Sequence, residues 1–466
     1  SIIIPANSAS AAGGFDVENS CRFNDGSDDN LTKTFSAQNT RTKHSISFWC
    51  KRATFGHTQF LFEGSDGTYP SHIYFSSGNI LAFYDGGENA TYATTAKFLD
   101  PSAWMHILCR IDTTQASNAN RVRFYVNGVL SPTGQTNAIT QGGAISIGKG
   151  VVHTIGKRIG ASDSFDGYFC EFIYVYNVSH EPTAFGEFND DGIWIPLDGL
   201  ADSLTFGNNG FYLDFQDSSA LGNDVSGNDT DFAANNLTAT DQSTDTCTNN
   251  FATLNPLHSI GAQSELSQGN LEYDPAGHHR IISTIAPTSG KWYAEVKGID
   301  NPDKFMAGVS YYPMPANGSA STFAFGQGVN GDVGRWANDF GVKANGDYGN
   351  SNSYSSYMAT LEGENNNIVG IYMDLDNYKI YLSKNGSLVS ATGKDLTSNG
   401  EPYGFISVGE AGTFQWNFGN PSFALANTAI TDDNGFGAFE YSPNITGDSA
   451  AKKFYALCTK NLAEYG

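Results

Sequence analysis

Apolar and polar residues alternate with a period of two along almost the whole chain. SISFWC, FLFEG, HIYFS, ILAFYD, HILCRID, VRFYVNG and FIYVYN show it in the first half, and WYAEVKG, VGIYMDLD, KIYLSKNG, YGFISVG and TFQWNFG in the second. Alternation of this kind puts every second side chain on a buried sheet face. Gly, Asn, Asp and Ser break the runs at intervals of about ten residues, which is the rhythm of antiparallel β-sandwiches. No segment keeps a 3.6-residue period for three turns, and short helices are predicted only around Glu181–Phe188 and Asp100–Trp104. Two runs, VRFYVNGVL (Val122–Leu130) and KIYLSKNGSLV (Lys379–Val389), pass through Asn-Gly. That pair tolerates the positive φ angles of a two-residue hairpin turn, so each strand is expected to fold back there.

At 466 residues the chain is too long for one ordinary domain. Its composition shifts between Gly199 and about Asn255, where Asn, Asp, Ser and Thr dominate. Phe211, Leu213, Phe215, Phe232, Leu237, Phe251 and Leu254 recur too often in that stretch for a disordered linker, so it reads as a packed connector. The ending FYALCTKNLAEYG returns to apolar residues and is expected to dock. The predicted organisation is an N-terminal arm at 1–14, a sandwich at 15–190, an Asn/Asp-rich connector at 191–260, a second sandwich at 261–425 and a C-terminal docking segment at 426–466. The fold class is all-β: two antiparallel β-sandwich domains joined by a loop-rich connector.

Charge narrows the partners. The formal net charge is −23, a field that repels phosphate backbones and anionic lipid, so nucleic acid and membrane insertion are not expected. Charged residues make up only 16% of the chain and aromatics 13%, so amides and hydroxyls must supply the polar surface. Cys21, Cys50, Cys109, Cys170, Cys247 and Cys458 are scattered without a CxxC pair, and several sit inside apolar strand patterns, which reads as buried free thiols. Ile2–Ile4 is far shorter than the signal-peptide core of about 7–15 residues, and no run approaches a membrane helix, so a soluble protein without Sec export is expected.

The motifs then point to two families. ISFWCKR, WMHILCRID, RVRFYVNG and FDGYFCEFIYVYNVSHEP, taken in that order, resemble a laminin-G-like, concanavalin-A-like jelly roll over about Phe15–Asn189. GKWYAEV, IVGIYMDLDNYKIYLSKNG and FISVGEAGTFQWNFG resemble a SPRY domain over about Gly261–Phe423. The two together, with PANSASAAGG at the start and LCTKNLAEYG at the end, resemble fibre-like or surface virion proteins of marine tailed phages. The resemblance implies a non-enzymatic fibre, spike or capsid decoration at the virion surface. Its implied partners are other virion proteins, further copies of itself (a trimer in many fibres) and a host surface glycan. Apolar residues at both ends make the terminal segments candidates for assembly contacts. The alternatives are a carbohydrate-active enzyme of glucanase type and a secreted or cellular adhesion lectin.

Catalytic signatures are sparse. Glucanases of the jelly-roll class align Glu-x-Asp-x-(x)-Glu along one strand so that acid and nucleophile share a cleft, and no such string occurs. Asp374 and Asp376 share a face but lack a third carboxylate, and Glu362 and Glu364 fall in a loop. There is no HxH, HExxH or Gly-x-Ser-x-Gly pattern, so the reading is no enzyme and no cofactor. A calcium ion is the one candidate metal, from Asp217, Asp224, Asp229 and Asp231 in DSSALGNDVSGNDTD, although the spacing is not that of an EF-hand. The candidate ligand-binding residues are Arg335, Trp336, Asp339, Tyr348, Tyr354 and Tyr357, in a long loop region rich in amides and glycines. Sugar rings stack on such aromatics while their hydroxyls pair with Asp and Asn.

Overall fold

Both Asn-Gly steps form the turns that their chemistry favours. Asn127 and Gly128 have φ of 48° and 76°, and Asn385 and Gly386 have φ of 47° and 75°, the double positive value of a type I′ turn. They join Val122–Val126 to Val129–Leu130 and Lys379–Lys384 to Ser387–Leu388. Glycine is also required at 128 for space, since a Cβ there would lie 2.3 Å from the Trp194 ring.

The computed structural model describes residues 14–260, 262–277, 279–312, 339–398, 401–409, 412–446 and 451–466. These fall into two compact units that meet in sequence at Thr248/Asn249. In the first, one sheet runs in the order Val129–Leu130, Val122–Val126, Met105–Asp112, Lys43–Arg52, Gly167–Tyr176, Ser20–Phe23, Gln242–Ser243, with Phe211–Leu213 also paired to Gly167–Tyr176. The other runs Thr133–Thr136, Ala90–Lys97, Ile80–Asp85, Ser71–Phe75, Gln59–Ser65, Val152–Ile155, Asn30–Thr34, Ala233–Asn235. Their inner faces enclose an aromatic core. Phe48 stacks on Phe172 at 4.8 Å, and Phe62 meets Phe172 and Phe211, each at 6.0 Å.

The second unit repeats the two-sheet plan with different pairing. One sheet orders Leu254–Ile260, His279–Ser283, Tyr403–Gly409, Met306–Tyr311, Asp339–Lys343, Asp347–Asn350 and Ser353–Ser356. The other centres on Lys291–Asp300 between Thr413–Asn417 and Ile368–Asp374. Its core is built on Trp292, Trp416, Phe405 and Phe418, with Trp416 stacked on Phe418 at 5.3 Å. Both units are all-β antiparallel sandwiches, as the alternation predicts.

The segment 191–260 is divided rather than set between two domains. Phe211, Leu213, Phe215, Phe232 and Leu237 lie in the core of the first unit, while Phe251 and Leu254 lie in the second. Three short strands of this stretch complete the sheets of the first unit, which is why its apolar residues recur. The C-terminal segment docks within its own unit. Tyr455–Ala456 pairs in parallel with Trp292 and Tyr293, and Phe454, Leu457 and Leu462 are buried. That burial uses up the apolar residues that made this end a candidate assembly contact. Residues 1–13, which hold most of the expected arm, lie outside the described residues.

Two predictions follow from these cores. Deleting Phe454–Gly466 should abolish cooperative melting of the second unit, read by circular dichroism, and a truncated chain with an unchanged transition would contradict the docking. The second concerns pH. Burial raises the carboxyls of Asp29 to about 6, Glu63 and Glu295 to about 7 and Glu171 to about 8, and it raises Asp166 as well. It lowers His44 and His258 to about 4, and His72, His106 and His153 to about 3. A carboxyl with a raised folded pKa stabilises the fold below its unfolded value, and that contribution is lost as pH rises through the folded value. A histidine with a lowered folded pKa contributes above its unfolded value and loses that contribution as pH falls. Between roughly pH 4.5 and 6.5 the two sets change in opposite senses, above that range the carboxyls act alone, and below it the histidines do. The melting temperature should be level across that window and fall on both sides in calorimetry at constant ionic strength. A steady rise from pH 5 to 8 would contradict this balance.

Candidate functional site

The aromatic residues expected at the loop of the second unit have separate fates. Arg335 and Trp336 lie outside the described residues. Asp339 opens the strand Asp339–Lys343 and is fully buried, with Arg280 Nη2 2.6 Å from its Oδ2; the two side chains are 0% and 1% exposed. A carboxylate held that way is part of the core and does not face a ligand. Tyr348 is buried and its ring lies 5.5 Å from that of Tyr357. Lys394 Nζ sits 5.4 Å and 4.7 Å from those two rings, and Lys343 Nζ sits 3.7 Å from the half-buried Tyr354 ring. The structure therefore brings Tyr348 and Tyr357 together under one lysine. Tyr357 also lines an open pocket of ≈ 610 Å³ with Met358, Lys384, Asn385, Ser387 and Val389, beside the second Asn-Gly hairpin.

The four aspartates of the candidate calcium run organise turns. Asp217 Oδ1 accepts from the backbone N–H and hydroxyl of Ser219. Asp224 accepts from the backbone N–H groups of Tyr212, Ser226 and Thr230, and Asp231 accepts from that of Asp224. Asp229 is exposed at φ 54°. Among the described residues no three His, Cys, Asp or Glu side chains converge as a metal ion would require. Asp374 and Asp376 likewise serve a turn, accepting from Asn377 and from the Gly290 N–H.

A different surface of the first unit sets aromatic rings beside ionisable side chains. In the strand Gln59–Ser65 a bulge between Phe60 and Phe62 turns Leu61 and Phe62 both into the core. Phe60 and Glu63 then both face outward. Register sets Thr154, Glu63, His72, Tyr84 and Thr91 in one row across five strands, with Phe60, Tyr74 and Ala82 in the next. The rings touch: Phe60 stacks on Tyr74 at 5.6 Å, His72 meets Phe60 at 4.7 Å, and His72 stacks on Tyr84 at 5.1 Å. Tyr74 and Tyr84 are half-buried and form the accessible part of this strip. The exposed Arg158 guanidinium lies 5.4 Å from the Phe60 ring, and Glu63 Oε2 accepts the Ile159 N–H at 3.0 Å. Burial pushes the Glu63 carboxyl up to about 7 and holds His72 down at about 3, so near neutral pH the imidazole is uncharged.

Residues 25–182 match the family model Laminin_G_3, described as the concanavalin A-like lectin/glucanases superfamily. The first unit has a concanavalin A-like fold. No curated protein matches the chain. Among solved structures, the chain is similar to the native heptameric SAP-like pentraxin of Limulus polyphemus (15% identity, 36% of this chain and 80% of that one, TM-score 0.28). It is also similar to a candidate carbohydrate binding protein of Bacteroides ovatus ATCC 8483 (14% identity, 48% and 60%, TM-score 0.31) and to the SPRY domain of human HERC1 (12% identity, 35% and 96%, TM-score 0.26).

Of the three most strongly raised carboxyls of the concanavalin A-like unit, Glu63, Glu171 and Asp166, no two share a site. Glu171 sits in the other sheet at φ 51°, where the Tyr212 hydroxyl donates to it. Asp166 lies next to the Ala53 backbone, which donates to its carbonyl. Glu63 alone of these three stands beside the aromatic strip. Sequence reasoning missed that strip because HIYF and ILAFYD carry aromatics on both faces, and alternation alone does not say which face is the core. The signal present was the surplus itself: a strand with aromatics at consecutive positions must turn one of them outward.

Removing the Asp339 carboxylate tests whether it serves the fold. Asp339→Ala leaves Arg280 buried without its partner and should cost about 3–5 kcal/mol of stability. The check is denaturant unfolding, and a variant of unchanged stability would return Asp339 to the list of ligand-facing groups.

Proposed function

We propose that the chain is a non-enzymatic structural protein of a tailed-phage virion, a fibre, spike or capsid-surface decoration, whose concanavalin A-like unit binds host glycan. The observation that carries the glycan reading is the outward strip of Phe60, His72, Tyr74 and Tyr84. Pyranose rings have apolar faces that stack on tyrosine, and hydroxyl edges that pair with charged side chains. Arg158 is the exposed charged group beside the strip, while Glu63 and His72 are buried and support the rings from behind. The virion reading rests on the paired sandwich motifs of the sequence, and the net negative charge favours contact with neutral polymer over lipid or nucleic acid.

A glucanase reading is favoured by one observation, the Glu63 carboxyl poised at about 7 beside aromatic rings, as a general acid would be. Glycoside hydrolysis needs a second carboxylate about 5–9.5 Å away, and neither Glu171 nor Asp166 lies on that face.

Both readings meet in one set of measurements. Titration of host-cell polysaccharide by calorimetry should show saturable binding, and Tyr84→Ala and Tyr74→Ala should each weaken it about tenfold, close to 1.4 kcal/mol. Reducing ends should not accumulate on laminarin, agar or host polysaccharide. Equal affinity in both variants would contradict the site, and steady turnover lost in Glu63→Gln would replace the binding protein by an enzyme.

A further inference from the structure

Six cysteines are free in this structure, and two of them occupy a joint position that none of the other contacts explains. The segment after Gln242–Ser243 runs beside the central strand pair of the first unit. Three anchors fix it. Lys51 Nζ binds Asp245 Oδ2 at 2.7 Å with both side chains at most 1% exposed, Trp104 Nε1 donates to Asp245 Oδ1 at 2.9 Å, and the Val17 N–H donates to Thr248 Oγ1 at 2.9 Å. Lys51 stands opposite Tyr168, and two residues along the same strands Trp49 stands opposite Cys170. Stepping two residues from Asp245 along the docked segment leads to Cys247. The register therefore delivers Cys247 onto Cys170.

Cys247 packs against the cluster that holds Cys170, and each thiol shifts the titration of the other. Val17, Trp49 and Trp194 pack around the pair. Cys170 is buried and Cys247 is the less buried residue of the two, so exchange starts at Cys247. Cys21, Cys50 and Cys109 face the main core on the opposite side of the sheet and are sealed from solvent.

We propose that Cys170 and Cys247 form an intramolecular disulfide when the protein meets a low-molecular-weight disulfide such as oxidised glutathione. The Cys247 thiolate attacks one sulfur of oxidised glutathione, forming a mixed disulfide and releasing one glutathione thiolate. Cys170 then attacks the Cys247 sulfur, the second glutathione leaves, and the two protons from the cysteines end on the two glutathione thiols. Two protein thiols are oxidised to one S–S bond and one glutathione disulfide is reduced to two thiols. Burial raises the pKa of both cysteines, so in the folded protein the exchange is slow and needs sustained exposure. The bond would clasp the closing segment of the first unit to its central sheet across 76 intervening residues of chain.

Thiol counting by mass spectrometry tests this on the full chain. The protein is incubated with oxidised glutathione, denatured, alkylated with iodoacetamide and weighed, before and after dithiothreitol. The expected result is four alkyl groups on the oxidised protein against six after reduction, with a single cross-linked peptide joining Cys170 to Cys247. Cys247→Ser, a near-isosteric change at a partly exposed position, should take five groups with or without oxidation. Six groups after prolonged oxidation, a stable glutathione adduct on Cys247, or a link between any other two cysteines would overturn the proposal. So would loss of two groups in Cys247→Ser.

Discussion

The antiparallel pairing of Lys43–Arg52 with Gly167–Tyr176 is the contact on which the first unit depends. It joins residues about 120 positions apart, and both strands are buried almost throughout. The rest of that sheet grows outward from the two. Met105–Asp112 extends from the first strand, while Ser20–Phe23 and Phe211–Leu213 share the free edge of the second. The pair also sets the core, since Phe48 and Phe172 stack across it and the opposite sheet closes over them. A shift of register by one residue would turn these phenylalanines outward and their polar neighbours inward, so the pairing has little freedom to slip. The irregularity between Cys170 and Ile173 is accommodated within it, and there Glu171 takes a positive φ and its carboxyl meets Tyr212.

Local chemistry was readable from the chain, and long-range pairing was not. The two Asn-Gly turns could be foreseen because a type I′ turn is decided by the two residues that make it. The sandwich class was equally visible, because a period of two is a property of each strand alone. Phe211–Leu213, Ala233–Asn235 and Gln242–Ser243 could not be assigned, being strands of two or three residues whose partners lie up to about 220 positions away. Their apolar residues showed that the stretch is packed, without showing against what. Asp339 illustrates the same limit at a site: its polar character matched a ligand-binding loop, and only the fold shows Arg280 against it.

The surface strip of the first unit arises from one bulge. In a strand that alternated strictly through Leu61, Phe60 and Phe62 would share one face. With the bulge, Phe60 and Glu63 join His72, Tyr74 and Tyr84 on the outer face while Leu61 and Phe62 fill the core. In the second unit the rings of Tyr348, Tyr354 and Tyr357 lie close to lysines, and the lysines occupy space that a stacked sugar would take. The two sandwiches share their turn chemistry and, among the described residues, differ in what surrounds their surface tyrosines.

Hydroxyl-radical footprinting of the whole chain, with and without host-cell surface polysaccharide, reads whether the polymer covers the outer strip of the first unit. Protection is expected at the tyrosines in SHIYF and ILAFYD, Tyr74 and Tyr84, with Tyr354 and Tyr357 unchanged. Unaltered oxidation at Tyr74 and Tyr84, whether or not the second-unit tyrosines become protected, would contradict a glycan site there.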